Sequence, residues 1–101
     1  MLLKEHPRLG HIKFIMLSGR FVRHMPRRTD TVDLLIVGDV ILPALADFIK
    51  STEAKLSREI NYTVMTEAEL TYRKTHSDPF IGNILAGSRV MLLGDEEELV
   101  A

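Results

Sequence analysis

Apolar residues along the chain fall into short runs separated by polar, glycine and proline positions, a pattern that predicts alternating strands and helices. The segment His11–Leu17 is rich in β-branched and aromatic residues and predicts a strand that ends at Ser18 and Gly19. Val32–Val37 is an almost continuous apolar run that closes at a glycine, which is typical of a strand covered on both faces. Residues 20–31, between these strands, are polar and basic and predict a helical turn followed by a loop.

The middle of the chain carries the spacing of an amphipathic helix over residues 42–58. Apolar residues recur there at three- and four-residue steps, and charged residues fall largely between them. Pro43 fits the first turn of this helix, because the backbone N–H that proline lacks has no intrahelical partner at that position.

The second half of the chain predicts a short strand, two helices and a last strand. The strand is Tyr62–Met65, and Thr66 with Glu69 matches a capping box that starts a helix running to about residue 75. The remaining boundaries are a helix start at Ser77-Asp78-Pro79, a helix end at Gly87 and a last strand over Arg89–Leu93.

Helices interleaved with strands predict an α/β (α+β) fold, in which helices pack on a mixed sheet of about four strands. The chain has 101 residues, so we expect a single domain over residues 1–101. Residues 1–10 are expected to form either an N-terminal arm or a short helix, and residues 95–101 an acidic tail. Such a tail is usually solvated and frayed.

The composition excludes several classes of protein. Cysteine is absent, which excludes disulfides, thiolate metal sites and cysteine nucleophiles. The longest apolar runs are too short to span a bilayer, so we expect no membrane partner. The N-terminus lacks the pattern of a secretory signal peptide, so we expect a cytoplasmic location.

The formal net charge of −1 hides a gradient along the chain. Residues 1–28 carry seven lysine and arginine residues against one glutamate, whereas residues 91–101 carry four acidic residues and no basic one. The basic front segment predicts either an anionic partner or a contact with the acidic tail of the same chain. Arg23, Arg27 and Arg28 are candidates for contacts with nucleic acid, although the sequence has no helix-turn-helix, zinc-finger or aromatic RNA-binding signature.

Two linked segments carry the most specific signal in the sequence. The residues LSGRF at positions 17–21 are followed by TVDLLIVGD at positions 31–39. Together they resemble the nucleotidyltransferase superfamily, the DNA-polymerase-β-like fold, in the minimal form often fused behind a winged-helix regulator in prokaryotes. The resemblance extends from about His11 to Gly94. The similar downstream segments are residues 60–69, 78–81 and 84–87.

The resemblance implies a nucleotide site and a metal site. Active members hold two divalent cations with carboxylates on adjacent strands, and a Gly-Ser turn lets backbone amides approach the nucleotide phosphates. Carried onto this chain, the pattern makes Ser18, Gly19 and Arg20 the nucleotide-binding candidates. It makes Asp33 the candidate metal ligand and catalytic residue, with Asp30 as a displaced second carboxylate.

The sequence departs from the pattern of active members at three positions. Thr31 stands where the first strand acid is expected, Arg20 stands where serine is expected, and the strand at 62–65 has no carboxylate. Asp30 lies three residues before Asp33, and an odd spacing on a strand points the two side chains to opposite faces unless a bulge or loop falls at Asp30. Since a lone carboxylate holds Mg²⁺ poorly, Asp33 is also interpreted as a structural acid that pairs with Arg20 or a loop amide.

These departures favour a nucleotidyltransferase-like domain with a degenerate active site, acting as a non-catalytic binding or regulatory module, for instance in a transcription regulator. The alternative is an active minimal nucleotidyltransferase that transfers a nucleoside monophosphate from a nucleoside triphosphate to a hydroxyl acceptor. Mg²⁺ is implied only in that alternative. The expected partners are a nucleotide and either a second copy of the chain, as a homodimer, or another protein.

Overall fold

The computed structural model describes residues 8–25 and 32–101, and every element below lies in those ranges. Four strands form one mixed sheet with helices packed on it, which confirms the predicted α+β class. The strands are β1 (Gly10–Ser18), β2 (Leu34–Val40), β3 (Tyr62–Met65) and β4 (Arg89–Leu93). The helices are α1 (Gly19–Val22), α2 (Leu42–Leu56), α3 (Glu67–Thr75), α4 (Pro79–Ala86) and α5 (Glu96–Val100).

The centre of the sheet is formed by β1 and β2, since the strand order is β3-β2-β1-β4. β1 pairs antiparallel with both β2 and β4, and Ile15 lies opposite Ile36. β2 pairs parallel with β3, with Leu34 opposite Tyr62, because α2 carries the chain back before β3 begins. The carboxyl ends of β2 and β3 therefore lie together at one end of the sheet, and the carboxyl end of β1 lies at the other.

The two faces of the sheet bury two separate apolar clusters. Side chains alternate along a strand, so Leu34 and Ile36 of β2 join one cluster while Leu35 and Val37 join the other. The first pair packs with residues of α1 and α2, and the second with residues of α3, α4 and α5. These four residues are at most 1% exposed, which confirms that this strand is covered on both faces.

Both helix starts predicted in the second half of the chain are formed. Thr66 Oγ1 accepts a hydrogen bond from the amide of Glu69 at 3.0 Å, and Asp78 Oδ1 accepts one from the amide of Phe80 at 3.2 Å. The Glu69 carboxylate accepts from Arg73 Nε at 3.0 Å rather than returning to the cap, so half of the predicted capping box forms. Arg73 Nη1 also donates to Asp78 at 2.5 Å, and this hydrogen bond is the main reason why the pKa of Arg73 is raised.

The ends of α2 and β2 differ from the predicted ones. α2 ends at Leu56 rather than at about residue 58, because Ser57 adopts a left-handed backbone with a φ of 53°. β2 continues through Gly38 to Val40, and Gly38 has a φ of 152° opposite a bulge in β1. A side chain at Gly38 would meet the backbone oxygen of His11, so this glycine lets the strand continue instead of ending it.

The acidic tail forms helix α5 instead of fraying, while its four acidic residues, 95–98, are exposed as expected. Leu99 is fully buried in the cluster shared with α3 and α4. Glu98 lies 3.4 Å from Lys13 Nζ, and Glu96 lies 2.6 Å from Arg89 Nη1. Through Lys13, the basic front segment contacts the acidic tail of the same chain. This contact agrees with one of the two interpretations of the charge gradient.

The N-terminal arm or helix predicted over residues 1–10 falls largely outside the described residues, which begin at Arg8. Leu9 is buried, and its carbonyl oxygen accepts from the amide of Ile41 at 2.7 Å. Across the described ranges, the helices lack the combination of length and apolar character that crossing a membrane requires.

Candidate functional site

The end of β1 and the start of β2 lie side by side, because these strands run antiparallel. Leu17 is opposite Leu34, and the amide of Ser18 donates to the carbonyl oxygen of Asp33 at 2.9 Å. The two halves of the sequence motif, Ser18 to Arg20 and Asp33, therefore meet at one corner of the sheet, which we call the motif corner. The candidates Arg27, Arg28 and Asp30 lie outside the described residues.

Three backbone amides at the motif turn, those of Ser18, Gly19 and Phe21, are engaged within the protein. The Ser18 hydroxyl caps α1 by accepting from the amide of Phe21 at 3.1 Å. The amide of Gly19 donates to the carbonyl oxygen of Ser88 at 2.9 Å. Since the amide of Ser18 is bound to Asp33, these three amides do not form the phosphate cradle that the resemblance implies.

The close approach of β4 explains the glycine in this turn. A Cβ at Gly19 would collide with Ser88 Oγ and lie 3.2 Å from Arg23 Nη1. Gly19 is itself buried, so a side chain there has no open space to enter. The glycine is therefore required for packing against the turn before β4, whatever the corner binds.

Asp33 holds the starts of the two parallel strands together. Its Oδ2 accepts from the amide of Asn61 at 2.9 Å, and its own amide donates to the carbonyl oxygen of Asn61 at 2.7 Å. The residue is 4% exposed and is the buried charged residue among the described positions. This geometry matches the interpretation of Asp33 as a structural acid that pairs with a loop amide.

The residues described at the motif corner do not fit a two-metal site. Such a site needs several carboxylates around one position, whereas no group of three or more histidine, aspartate or glutamate side chains in residues 8–25 and 32–101 could hold a metal ion. β3 contributes no carboxylate, as its sequence indicates. Metal ligation by Asp33 stays a prediction of the resemblance without supporting geometry.

Arginine side chains give the motif corner its positive charge. Arg23 is exposed, and its Nη2 lies 3.4 Å from Ser88 Oγ, so a guanidinium and a hydroxyl stand together above Gly19. Arg20 is half-buried and takes part in interactions within the domain. A guanidinium beside a hydroxyl is a donor pair suited to an anion such as a phosphate.

Two contributors to the corner, Ser88 and Arg58, are missed by the sequence reasoning. Arg58 follows α2, and its Nη1 donates to the carbonyl oxygen of Phe21 at 2.9 Å and lies 3.3 Å from His24 Nδ1. No spacing in the sequence links residue 58 to residue 21, because the contact depends on where α2 ends. The Gly87-Ser88 pair is a turn signal, but its meeting with Gly19 depends on the β1–β4 pairing.

Comparisons with models of protein families, with curated proteins and with solved structures found no significant match to this chain. The similarity to the nucleotidyltransferase superfamily therefore rests on the motif residues themselves and remains an expectation.

Proposed function

We propose that this chain is a non-catalytic, nucleotidyltransferase-like regulatory module that binds an anionic ligand of the nucleotide phosphate class at the motif corner. The observation that carries the proposal is the position of the Asp33 carboxylate, which is buried and accepts from the amide of Asn61. A carboxylate used in this way joins β2 to β3 and belongs to the fold.

The proposed lack of catalytic activity is supported by the carboxylates that are available to bind metal ions. Transfer of a nucleoside monophosphate through two divalent cations needs at least two carboxylates that converge on the metal pair. At the motif corner, Asp33 is the strand acid that the structure describes, and Thr31 occupies the position of its expected partner in the sequence. A bound nucleotide at this corner would be sensed and not converted.

The binding of an anion is supported by the exposed donors. The Arg23 guanidinium and the Ser88 hydroxyl are exposed and lie 3.4 Å from each other. A guanidinium presents parallel N–H groups that match two oxygens of a phosphate. Arg58, whose Nη1 donates to the carbonyl oxygen of Phe21, adds a further positive charge that attracts such an anion.

The test is calorimetric titration of the full chain with ATP, with and without Mg²⁺. Asp33→Asn removes the charge but keeps a side-chain oxygen that can accept from Asn61, so the fold is preserved. Arg23→Gln removes the exposed guanidinium, and Lys55→Gln on the exposed face of α2 is the control with the same change of charge.

We expect binding that does not require Mg²⁺ and that Asp33→Asn leaves unchanged. Arg23→Gln weakens it about fivefold, as expected for loss of an exposed charged contact, and Lys55→Gln does not. Binding that requires Mg²⁺ and is lost in Asp33→Asn would support the active enzyme instead. Equal affinities of Arg23→Gln and the wild type would refute the proposed anion site.

A further inference from the structure

A second surface feature lies at the opposite end of the sheet, where the parallel strands β2 and β3 both end. After β2 the chain turns to α2, which packs on one face, and after β3 it turns to α3, which packs on the other face. Two neighbouring strands whose connections leave to opposite faces open a crevice between them. In open α/β sheets, crevices of this kind are the usual location of small-molecule sites.

The crevice is an open groove with a volume of about 530 Å³. Its lining includes Asp39, Ile41, Leu42, Val64, Thr66 and Glu69. The apolar part is aliphatic and unusually exposed, since Ile41 is 53% and Leu42 is 60% exposed. Ile41 also occupies the N-cap of α2 without any capping side chain, at a position where serine, threonine, aspartate or asparagine is normally preferred.

The charged part of the groove is negative. Within the described ranges, the exposed Asp39 carboxylate makes no hydrogen bond or ion pair, whereas Glu69 is engaged by Arg73. The amino ends of α2 and α3 both border the groove and oppose this charge weakly, since the first turn of α3 carries Glu67 and Glu69. Pro43 has no N–H to offer, and the amide of Ile41 is bound to Leu9. The full charge of Asp39 therefore dominates the site.

We propose that this groove binds a small aliphatic ammonium compound, with its ammonium group at Asp39 and its alkyl group on Ile41, Leu42 and Val64. The carboxylate supplies the complementary charge, and the exposed aliphatic side chains supply apolar surface that the ligand would remove from water. The site shares no residue with the motif corner, so it stands independently of the proposed anion site.

The experiment is an NMR titration of the ¹⁵N-labelled full chain with 3-methylbutylamine. We expect saturable shifts at the amides of Leu42, Val64 and Thr66, and none for the carboxylate 4-methylpentanoate, which has the same branched end. Asp39→Asn weakens binding about fivefold because the charge pair is lost. Asp47→Asn, an exposed acid of α2 outside the groove, leaves the affinity unchanged.

Leu42→Ser provides a second variant, since it removes apolar surface at an exposed position and leaves the core intact. It also weakens binding of the amine. The absence of saturable shifts with the amine, equal binding of the carboxylate, or equal affinities of Asp39→Asn and Asp47→Asn would each overturn the proposal. None of these results depends on ATP binding or on Arg23.

Discussion

The guanidinium of Arg58 stacks on the ring of Phe21 at 4.0 Å while its Nη1 donates to the carbonyl oxygen of the same residue at 2.9 Å. This double contact joins the segment after α2 to the short helix α1. It fixes the turn that carries Ser18 and Gly19, although Arg58 lies 37 residues further along the chain. The shape of the motif corner thus depends on a residue outside the motif.

Arg58→Ala is expected to lower the free energy of unfolding by about 1–3 kcal/mol, because a stacked cation and a charged hydrogen bond are lost together. Arg58→Lys restores only part of this loss, since an ammonium group lacks the planar stacking surface. Urea denaturation measures both variants against Lys55→Ala as the exposed control. Full recovery in Arg58→Lys would show that charge alone matters.

Asp33→Ala is expected to lower the free energy of unfolding by about 1–3 kcal/mol, because the amide of Asn61 loses its acceptor at a part-buried position. Asp33→Asn costs less, as its amide oxygen can accept the same hydrogen bond. Thermal and urea unfolding of the two variants provide the comparison. If both variants lose the same stability, the carboxylate contributes through another contact.

Gly19→Ala is expected to destabilise the domain by about 1–3 kcal/mol, since its Cβ would collide with Ser88 Oγ. Gly82→Ala in α4 is the matched control, because a Cβ there meets nothing within 4 Å. In that helix, alanine is expected to raise stability by about 0.5–1 kcal/mol. Ser88→Ala, combined with Gly19→Ala, recovers part of the loss, and urea denaturation of the four variants tests this. Additive losses in the double variant would place the strain elsewhere.

Leu99→Ala is expected to cost about 2–5 kcal/mol, because Leu99 is fully buried between α5 and the sheet. Val100→Ala is the control, since Val100 is 45% exposed. Glu98→Gln removes the exposed pair with Lys13 and changes stability by less than about 1 kcal/mol. Urea denaturation at low and high salt separates the contributions. A larger loss from Glu98→Gln than from Leu99→Ala would mean that charge holds the helix in place.

The sequence predicts the strands and α2 well because their hydrophobic spacing is strong. Val32–Val37 is apolar except for Asp33, and the structure buries Leu34 to Val37 from both sides. Thr66 is recognisable as a cap from the residues around it, and its hydrogen bond to Glu69 is local. Such elements are encoded within a few residues and need no knowledge of the tertiary fold.

The acidic helix α5 could not be predicted in the same way. Three consecutive glutamates, preceded by Asp95 at the N-cap, dominate its composition, and the single buried Leu99 gives no periodic signal. Its stability depends on distant partners, including Lys74, whose Nζ donates to the carbonyl oxygens of Leu99 and Ala101 at 2.9 Å. Helices that are stabilised mainly by tertiary contacts cannot be predicted from the hydrophobic pattern of the local sequence.

The candidate site was only partly predictable, because some of its contacts also depend on the tertiary fold. Ser18 and Asp33 of the motif lie close together, because neighbouring strands bring them there. The contact between Asp33 and Asn61 depends on the parallel pairing of β2 with β3, which no local signal specifies. The sequence therefore indicates which residues meet at the corner more clearly than what each of them contacts.

The parallel pairing of β2 with β3 also has a consequence for how fast the protein folds. Asp33 and Asn61 are 28 residues apart, so their contact closes a long loop before it gains any stabilising interaction. When α2 forms within this loop, the loop has fewer conformations, so bringing its two ends together costs less entropy. We therefore expect a helix-stabilising change on the exposed face of α2, such as Ser51→Ala, to accelerate refolding more than it slows unfolding in stopped-flow measurements.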